Sequence, residues 1–137
     1  MRIQLIQLNN LADHRGSLIS LEANKNVPFD IKRVYYLFGT KEQIRRGFHA
    51  HKNLKQLIVA VHGSCRFVLD DGKERVELTM NSPAIGLVVE SNIWREMYDF
   101  SPDCVLMVLA SEYYDETDYI RDYDDFLKLT QTDETYG

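Results

Sequence analysis

The chain has 137 residues, of which 45% are hydrophobic, 11% aromatic and 27% charged, and its formal net charge is −5. This composition is typical of a soluble globular protein, excludes a disordered chain, and at this length suits one domain over residues 1–137. The negative charge argues against nucleic acid as a partner, because phosphate backbones are bound by basic surfaces.

Short apolar stretches follow one another along the chain and are separated by turn signals. Gly and Pro punctuate the gaps, for example at Gly16, Pro28, Gly63 and Pro83. Many short strands with a turn every ~8–12 residues predict an all-β sandwich or barrel. The predicted strands cover residues 3–8, 18–21, 31–38, 57–61, 65–69, 76–78, 84–89, 93–98 and 105–110.

The sharpest turn signal is the run Leu69-Asp70-Asp71-Gly72, which lies between two of these stretches. Glycine accepts the positive φ that a tight hairpin needs, so the Asp-Gly pair predicts such a hairpin here. The segment 111–129 differs from the rest, because it is rich in Asp, Glu and Tyr. Tyr119, Tyr123 and Phe126 follow one another there at helical spacing. We expect a C-terminal helix, or two short ones, with a solvated acidic face.

The sequence also bears on the cellular compartment and on the state of the two cysteine thiols. No apolar run approaches the ~18 residues that a transmembrane helix needs. The first residues, MRIQLIQLNN, lack the apolar segment and cleavage site of a signal peptide. We therefore expect a cytoplasmic protein with no membrane partner. Cys65 and Cys104 lie in apolar runs, and we expect two buried free thiols rather than a disulfide or a metal pair.

The segment Arg45-Arg46-Gly47-Phe48-His49-Ala50-His51 carries the main chemical signal. In a strand, side chains two residues apart project from the same face, so His49 and His51 are expected side by side. Two imidazoles on one face suit either metal ligation or proton transfer near neutral pH. A pair of structural histidines is the alternative.

The spacing of His49-x-His51 with Gln56 and Gly63 resembles the first motif of the cupin superfamily. Residues 83–95, which end at Arg95, resemble the second cupin motif more loosely. Metal-binding cupins have Glu where this chain has Gln56 and His where it has Arg95. An arginine does not deprotonate to ligate a metal and would repel one, so we expect no metal. The resemblance implies a cupin-type jelly-roll β-sandwich with a short C-terminal helical segment.

Several further runs resemble the cupin-type TDP-4-keto-6-deoxyglucose 3,4-ketoisomerases and span almost the whole chain. The resemblance implies conversion of TDP-4-keto-6-deoxy-D-glucose into the TDP-3-keto-6-deoxyhexose by metal-free proton transfer between C3 and C4. No cofactor is implied, the partners are the TDP-linked sugar and a second copy in a homodimer, and the setting is deoxysugar biosynthesis for lipopolysaccharide or an S-layer glycan. The matching runs are 31–36, 46–52, 69–72, 108–111 and 114–121.

The same resemblance implies roles for individual residues. His49 and His51 are the expected catalytic pair, one of them acting as the base at C3, and which one is left open. Arg46 is the candidate for the diphosphate, because a guanidinium pairs well with phosphate oxygens. Arg33 and Tyr35 share a strand face and would reach the sugar or nucleotide if that face lines the barrel.

Weaker candidates and rival functions stay open. Arg15 and Arg95 are further substrate-binding candidates, and Trp94 is expected to pack rather than to stack on a base. The rival functions are a cupin 3,5-epimerase or other sugar-nucleotide isomerase, a non-catalytic sugar-nucleotide-binding cupin, and a metal-dependent dioxygenase. The C4 configuration of the product is also open. Arg95 is too weak an acid to deliver the proton at C4, and we expect the gluco product, with the two histidines or a held water dividing the roles.

Overall fold

Two five-stranded sheets face each other in the structure, a computed structural model that describes the backbone of residues 1–136 and the side chains of residues 1–131. Every strand pair is antiparallel. The strands are β1 (Gln4–Gln7), β2 (Arg33–Leu37), β3 (Arg46–His51), β4 (Gln56–His62), β5 (Cys65–Asp70), β6 (Arg75–Met80), β7 (Ile85–Val89), β8 (Trp94–Tyr98), β9 (Val105–Ala110) and β10 (Tyr119–Ile120).

The strand order is β1-β7-β4-β9-β2 in the first sheet and β10-β3-β8-β5-β6 in the second. Apolar side chains from both sheets alternate inward and form the main core between them, with Ile58 and Leu106 from the first sheet and Phe67 and Leu69 from the second. This confirms the predicted all-β jelly-roll sandwich. No helix in the described residues is long and apolar enough to cross a membrane.

The predicted strand at residues 18–21 is wrong. These residues lie in an irregular segment that contains two isolated bridges and covers the outer face of the first sheet. The side chain of Asn26 accepts from the backbone N–H of Glu22 and donates to the carbonyl of Ser20. An asparagine that hydrogen-bonds its own neighbourhood in this way competes with a strand ladder, which explains why the apolar run forms no strand.

The hairpin at 69–72 is confirmed, but its turn is wider than a two-residue turn. Asp70 pairs with Arg75, so the turn covers residues 71–74. The carboxylate of Asp71 accepts from the backbone N–H groups of Lys73 and Glu74, at 2.9 Å each. This side chain closes the wider turn, and Gly72 supplies the positive φ of 94°.

The C-terminal segment departs from the prediction at its start. The α-helix, α1 (Tyr123–Tyr136), follows a 3₁₀ turn at Glu116–Asp118, and Tyr119 lies in β10 rather than in a helix. The backbone of Tyr119 pairs with β3, and this ladder takes the place of helical hydrogen bonds. Phe126 of α1 is fully buried against Trp94, so the predicted packing role of Trp94 is confirmed. The two cysteines are buried and free, as expected.

Candidate active site

A cavity of about 480 Å³ lies between the two sheets, within the size range of small-molecule sites. Its buried wall consists of apolar side chains and two polar ones, Gln56 and Arg95, which are 1% and 3% exposed. Its exposed rim is rich in arginine and tyrosine. The predicted residues Arg33, Tyr35, Arg46, His49 and Arg95 all line it, together with Gln56, Tyr114, Tyr119 and Arg121.

A β-bulge in β3 sets the direction of its side chains. Gly47 pairs with Glu96 and His49 with Arg95, so Phe48 is an extra residue without its own partner on β8. Gly47 and Phe48 both have positive φ, 93° and 52°. Arg46 and His49 are three residues apart, and simple alternation would place them on opposite faces. Because of the bulge, both line the cavity.

The imidazole of His49 has a defined protonation pattern. Its Nδ1 lies 3.0 Å from the carbonyl oxygen of Gly47. A carbonyl only accepts, so Nδ1 carries the hydrogen and Nε2 keeps its lone pair in the neutral ring. Burial, together with the cation of Arg95, lowers the pKa of His49 to about 4. At neutral pH His49 is therefore an uncharged base.

His51 lies on the same strand face as His49 but is only 1% exposed and is not one of the lining residues. The two imidazole centroids are 4.8 Å apart with planes at 83°, and the ring of Tyr119 lies 4.4 Å from His51. The Nδ1 of His51 donates to the carboxylate of Asp118 at 3.1 Å. Burial, followed by Arg95 and other cations, lowers the pKa of His51 to about 2.

Three polar side chains form a chain of hydrogen bonds along the buried wall. Arg95 donates from Nη1 to the amide oxygen of Gln56 and from Nη2 to the carbonyl of Ile93, the latter at 3.1 Å. Gln56 in turn donates to the hydroxyl of Tyr35 at 2.9 Å. Burial lowers the pKa of Arg95 to about 10, which still leaves it cationic at neutral pH.

This chain of hydrogen bonds does not fit a divalent metal ion. The amide oxygen of Gln56 is engaged by a guanidinium, and the cation of Arg95 occupies the place of a fourth ligand. The two remaining imidazoles are too few for a stable site. Within the described residues, no group of three or more His, Cys, Asp or Glu side chains is arranged to hold a metal.

The rim of the cavity combines guanidinium groups with aromatic rings. Arg33 lies over the rings of Tyr35 and Tyr114, at 5.2 and 5.7 Å, and Arg121 lies over Tyr119 at 4.2 Å. Such a rim suits a ligand that joins a planar ring to an anionic group, because guanidiniums pair with phosphate and aromatic faces stack.

Sequence reasoning missed four residues of this site as individual candidates. Asp118, Tyr119, Tyr114 and Arg121 all lie in the run 114–121, which the resemblance contained but to which it assigned no role. Only the pairing of β10 with β3 brings this run to the histidines. Its membership in a matching run was the only sequence signal for it.

The structure does not bring Arg15 to the cavity within this chain. Its side chain is 78% exposed, and its guanidinium pairs with the carboxylate of Asp13, at 2.6 Å for Nη2 and 3.1 Å for Nε. Asp13 and Gly16 form an isolated bridge, so both charged residues lie in one tight turn. This local ion pair accounts for the direction of the Arg15 side chain.

Comparison with known proteins gives consistent matches over nearly the whole chain. The family model described as FdtA, WxcM-like, C-terminal, matches residues 1–131. TDP-4-oxo-6-deoxy-α-D-glucose-3,4-oxoisomerase from Aneurinibacillus thermoaerophilus is 59% identical over 128 residues, which cover 93% of this chain and 92% of the relative.

Solved structures of high similarity have the same fold. A 3,4-ketoisomerase from Helicobacter canadensis has a TM-score of 0.93 and 46% identity, covering 96% of this chain and 98% of its own. The sugar 3,4-ketoisomerase QdtA from Thermoanaerobacterium thermosaccharolyticum, solved in complex with TDP, has a TM-score of 0.93 and 44% identity, covering 95% of each chain.

Proposed function

The chain belongs to the FdtA family, and we propose that it is a TDP-sugar 3,4-ketoisomerase acting on TDP-4-keto-6-deoxy-D-glucose. The named activities of its relatives support this assignment. The observation that carries it is the neutral imidazole of His49, which offers a free Nε2 lone pair on the wall of a cavity rimmed by arginines.

The reaction moves one proton from C3 to C4 and one from the C3 oxygen to the C4 oxygen, and the carbonyl group changes place in the opposite direction. The C4 ketone acidifies the hydrogen on C3, a base removes it, and an enediolate forms. A proton then returns to C4, while the C3 hydroxyl loses its proton and becomes the ketone and the C4 oxygen gains a proton and becomes the hydroxyl. The oxidation of C3 balances the reduction of C4, so the reaction needs no external oxidant or reductant. Each positioned acid–base group typically contributes ~10²–10⁴-fold in rate.

We assign this proton transfer to His49 and His51. His49 lines the cavity, and His51 packs against it, so together they form an acid–base pair on one strand. Both have depressed pKa values because burial and the cation of Arg95 disfavour imidazolium. A bound diphosphate and a developing enediolate add negative charge nearby, which offsets these cations and favours uptake of the proton.

Substrate binding is assigned to the remaining predicted residues. Arg46 and Arg33 on the rim would pair with the diphosphate, and Tyr35 would contact the sugar or nucleotide. Arg95 is assigned to the sugar end, because its buried cation lies on the wall beside His49 and would stabilise an enediolate oxygen. Arg15 would need a neighbouring copy of the chain to reach a substrate.

We propose that the chain acts as a single ketoisomerase domain in a cytoplasmic homodimer. The homodimer rests on analogy with other cupins. It is supported by the outward face of the edge strand β2, where Val34 and Tyr36 are 54% and 65% exposed, and by Phe38 just beyond, 69% exposed. The product would supply deoxysugar biosynthesis for lipopolysaccharide or an S-layer glycan.

Incubation with TDP-4-keto-6-deoxyglucose in D₂O tests the reaction. We expect NMR to show deuterium at C4 of a 3-keto product that a 3-aminotransferase can trap and, because the reaction is reversible, at C3 of the remaining substrate. The variant His62→Asn, which alters an exposed histidine far from the cavity, is the matched control and should behave like the wild type. Binding without exchange would indicate a non-catalytic cupin, and exchange at C3 and C5 would indicate an epimerase.

A further inference from the structure

The two imidazoles of the site differ in the group that receives their Nδ1–H. His49 donates to a neutral backbone carbonyl, whereas His51 donates to the carboxylate of Asp118. Asp118 ends the 3₁₀ turn at Glu116–Asp118, and its side chain is 15% exposed. It lies 67 residues from His51 in the sequence, so this contact depends on the tertiary fold.

Asp118 is itself held from two further directions. The backbone N–H of Asn53 donates to its Oδ1 at 2.7 Å, and the backbone N–H of Lys52 donates to its carbonyl oxygen at 3.1 Å. With both carboxylate oxygens engaged, the side chain has little freedom to rotate. The carboxylate is therefore a fixed acceptor for His51.

The far side of the His51 ring is left without a partner. Its Nε2 is buried and makes no hydrogen bond to any described residue. Buried polar atoms in native proteins are almost always paired, so an unpaired imidazole nitrogen beside a cavity calls for a functional explanation. Because Nδ1 carries the hydrogen, the unpaired Nε2 has a free lone pair.

The charges around His51 make the contact with Asp118 distinctive. Arg95, Arg33 and Arg121 all disfavour a second proton on the ring. Asp118 is the carboxylate in direct contact with it. We propose that Asp118 is a positioning residue that holds His51 in the Nδ1–H tautomer and keeps its Nε2 lone pair available for the proton that moves during isomerisation. This inference rests on the proposed function of the site.

The substitution Asp118→Asn tests the proposal with almost no change in shape. The backbone N–H of Asn53 requires an acceptor at Oδ1, so the new amide would place its oxygen there. Its NH₂ group would then face Nδ1 of His51, which would have to accept. The hydrogen of His51 would move to Nε2 and block the lone pair, as in an Asp→Asn change behind a catalytic histidine.

The experiment combines ¹⁵N NMR of the imidazoles with steady-state kinetics. The chain has four histidines, and the spectrum of His51→Asn identifies the His51 signals. We expect the wild type to show His51 as Nδ1–H and Asp118→Asn to show it as Nε2–H. The kcat of Asp118→Asn should fall by about 10²–10⁴-fold, while KM and the affinity for TDP change little.

The matched control is Asp115→Asn, which removes the same charge from the same loop. Asp115 caps the 3₁₀ turn through the N–H and hydroxyl of Thr117, and asparagine serves equally well as a cap. Its kinetics and its His51 tautomer should match the wild type. Equal losses in the two variants would overturn the proposal, because they would point to a general effect of loop charge.

Two other results would also overturn it. One is a wild-type spectrum with His51 as Nε2–H, a measurement that does not depend on any variant folding. The other is an Asp118→Asn spectrum with the flipped tautomer but unchanged kcat. The tautomer is observed without substrate, so it tests the role of Asp118 separately from the reaction. A wild-type enzyme that exchanges no substrate proton would instead contradict the proposed function.

Discussion

Arg95 on β8 donates a hydrogen bond to Gln56 on β4, and this contact joins the inner faces of the two sheets at the cavity wall. A carboxylate at position 56 and an imidazole at position 95 would instead complete a set of four donors with His49 and His51. Such a set suits Zn²⁺, Fe²⁺ or Mn²⁺. The Arg95–Gln56 contact therefore distinguishes a proton-transfer site from a metal site built on the same strands.

The first prediction concerns metal. Treatment with EDTA should leave turnover unchanged, because Gln56 and Arg95 do not serve as ligands. The double variant Gln56→Glu/Arg95→His should gain stoichiometric binding of Mn²⁺ or Ni²⁺ by calorimetry and lose isomerase activity, whereas each single variant should bind weakly. Activity that disappears on chelation and returns with one equivalent of an ion would contradict the prediction.

The second prediction concerns the histidine pair. His49→Asn and His51→Asn should each lower kcat roughly a hundredfold or more, because each removes an acid–base group. Binding of TDP should persist, since the arginines on the rim are unchanged. Calorimetry with TDP and NMR of the sugar reaction measure the two effects separately. Near-normal turnover in both variants would show that the pair is structural.

The third prediction concerns stability in acid. The pKa values of His49 and His51 fall from 6.5 to about 4 and about 2 on folding. Between pH 6.5 and 4 the unfolded chain therefore binds more protons than the folded one, so the free energy of unfolding falls as the pH is lowered. Each histidine contributes a slope of up to about 1.4 kcal/mol per pH unit.

Urea unfolding at pH 7, 6 and 5 measures this slope. The double variant His49→Asn/His51→Asn should lose less stability than the wild type over this range. Carboxylates that titrate in acid are common to both proteins, so the difference between the two slopes isolates the pair. Parallel slopes would mean that the folded protein protonates both imidazoles as readily as the unfolded chain does.

The fourth prediction concerns the bulge. A Cβ on Gly47 would lie 2.9 Å from the carbonyl oxygen of Arg95, and the residue has φ of 93°. Gly47→Ala should lower the free energy of unfolding by about 1–3 kcal/mol and reduce kcat, because β8 must shift beneath His49.

Gly39→Ala is the control for this prediction. Gly39 also has positive φ, 65°, but a Cβ there would meet no described atom within 4 Å. Gly39→Ala should lower the free energy of unfolding by about 1 kcal/mol, the backbone cost of positive φ for a residue with a side chain, and should leave kcat normal. Equal effects of the two substitutions on kcat would show that the close approach to β8 has no role in the site.

The fifth prediction concerns the product. We expect the gluco configuration at C4, which requires protonation from the face opposite to proton removal at C3. Arg95 is too weak an acid to deliver that proton, whereas the imidazole planes of His49 and His51 at 83° suit two separate groups. Trapping with a 3-aminotransferase and measuring the H3–H4 coupling decides the matter. A small coupling would show the galacto product.

Much of this fold follows from local sequence patterns, because alternation and turn residues act over a few positions. The inward face of Arg33 and Tyr35 and the shared face of the two histidines are cases of this kind. The direction of the Arg46 side chain could not be predicted in this way. It depends on a bulge at Phe48, where φ is 52° although the residue is not a glycine.

The contact between His51 and Asp118 could not be predicted from the sequence either. It joins residues that are distant along the chain and arises only when the tail returns to β3. For Arg15 the obstacle to prediction was a local contact rather than a distant one. A carboxylate two residues away pairs with it, and a local charge of that kind can redirect a side chain that a family pattern assigns to a ligand.

The shortness of β10 bears on how catalytic activity can be lost. β10 contains two residues, yet it and the residues next to it bring Tyr119 and Arg121 to the cavity and Asp118 to His51. A two-residue ladder contributes little free energy by itself, so this tail is held mainly by Ile120 and Phe126, which are buried with Ala50 and Trp94 in a small cluster separate from the main core between the sheets. Competence for catalysis and resistance to denaturation are therefore carried by different parts of the chain, and the first can be lost while the second is intact.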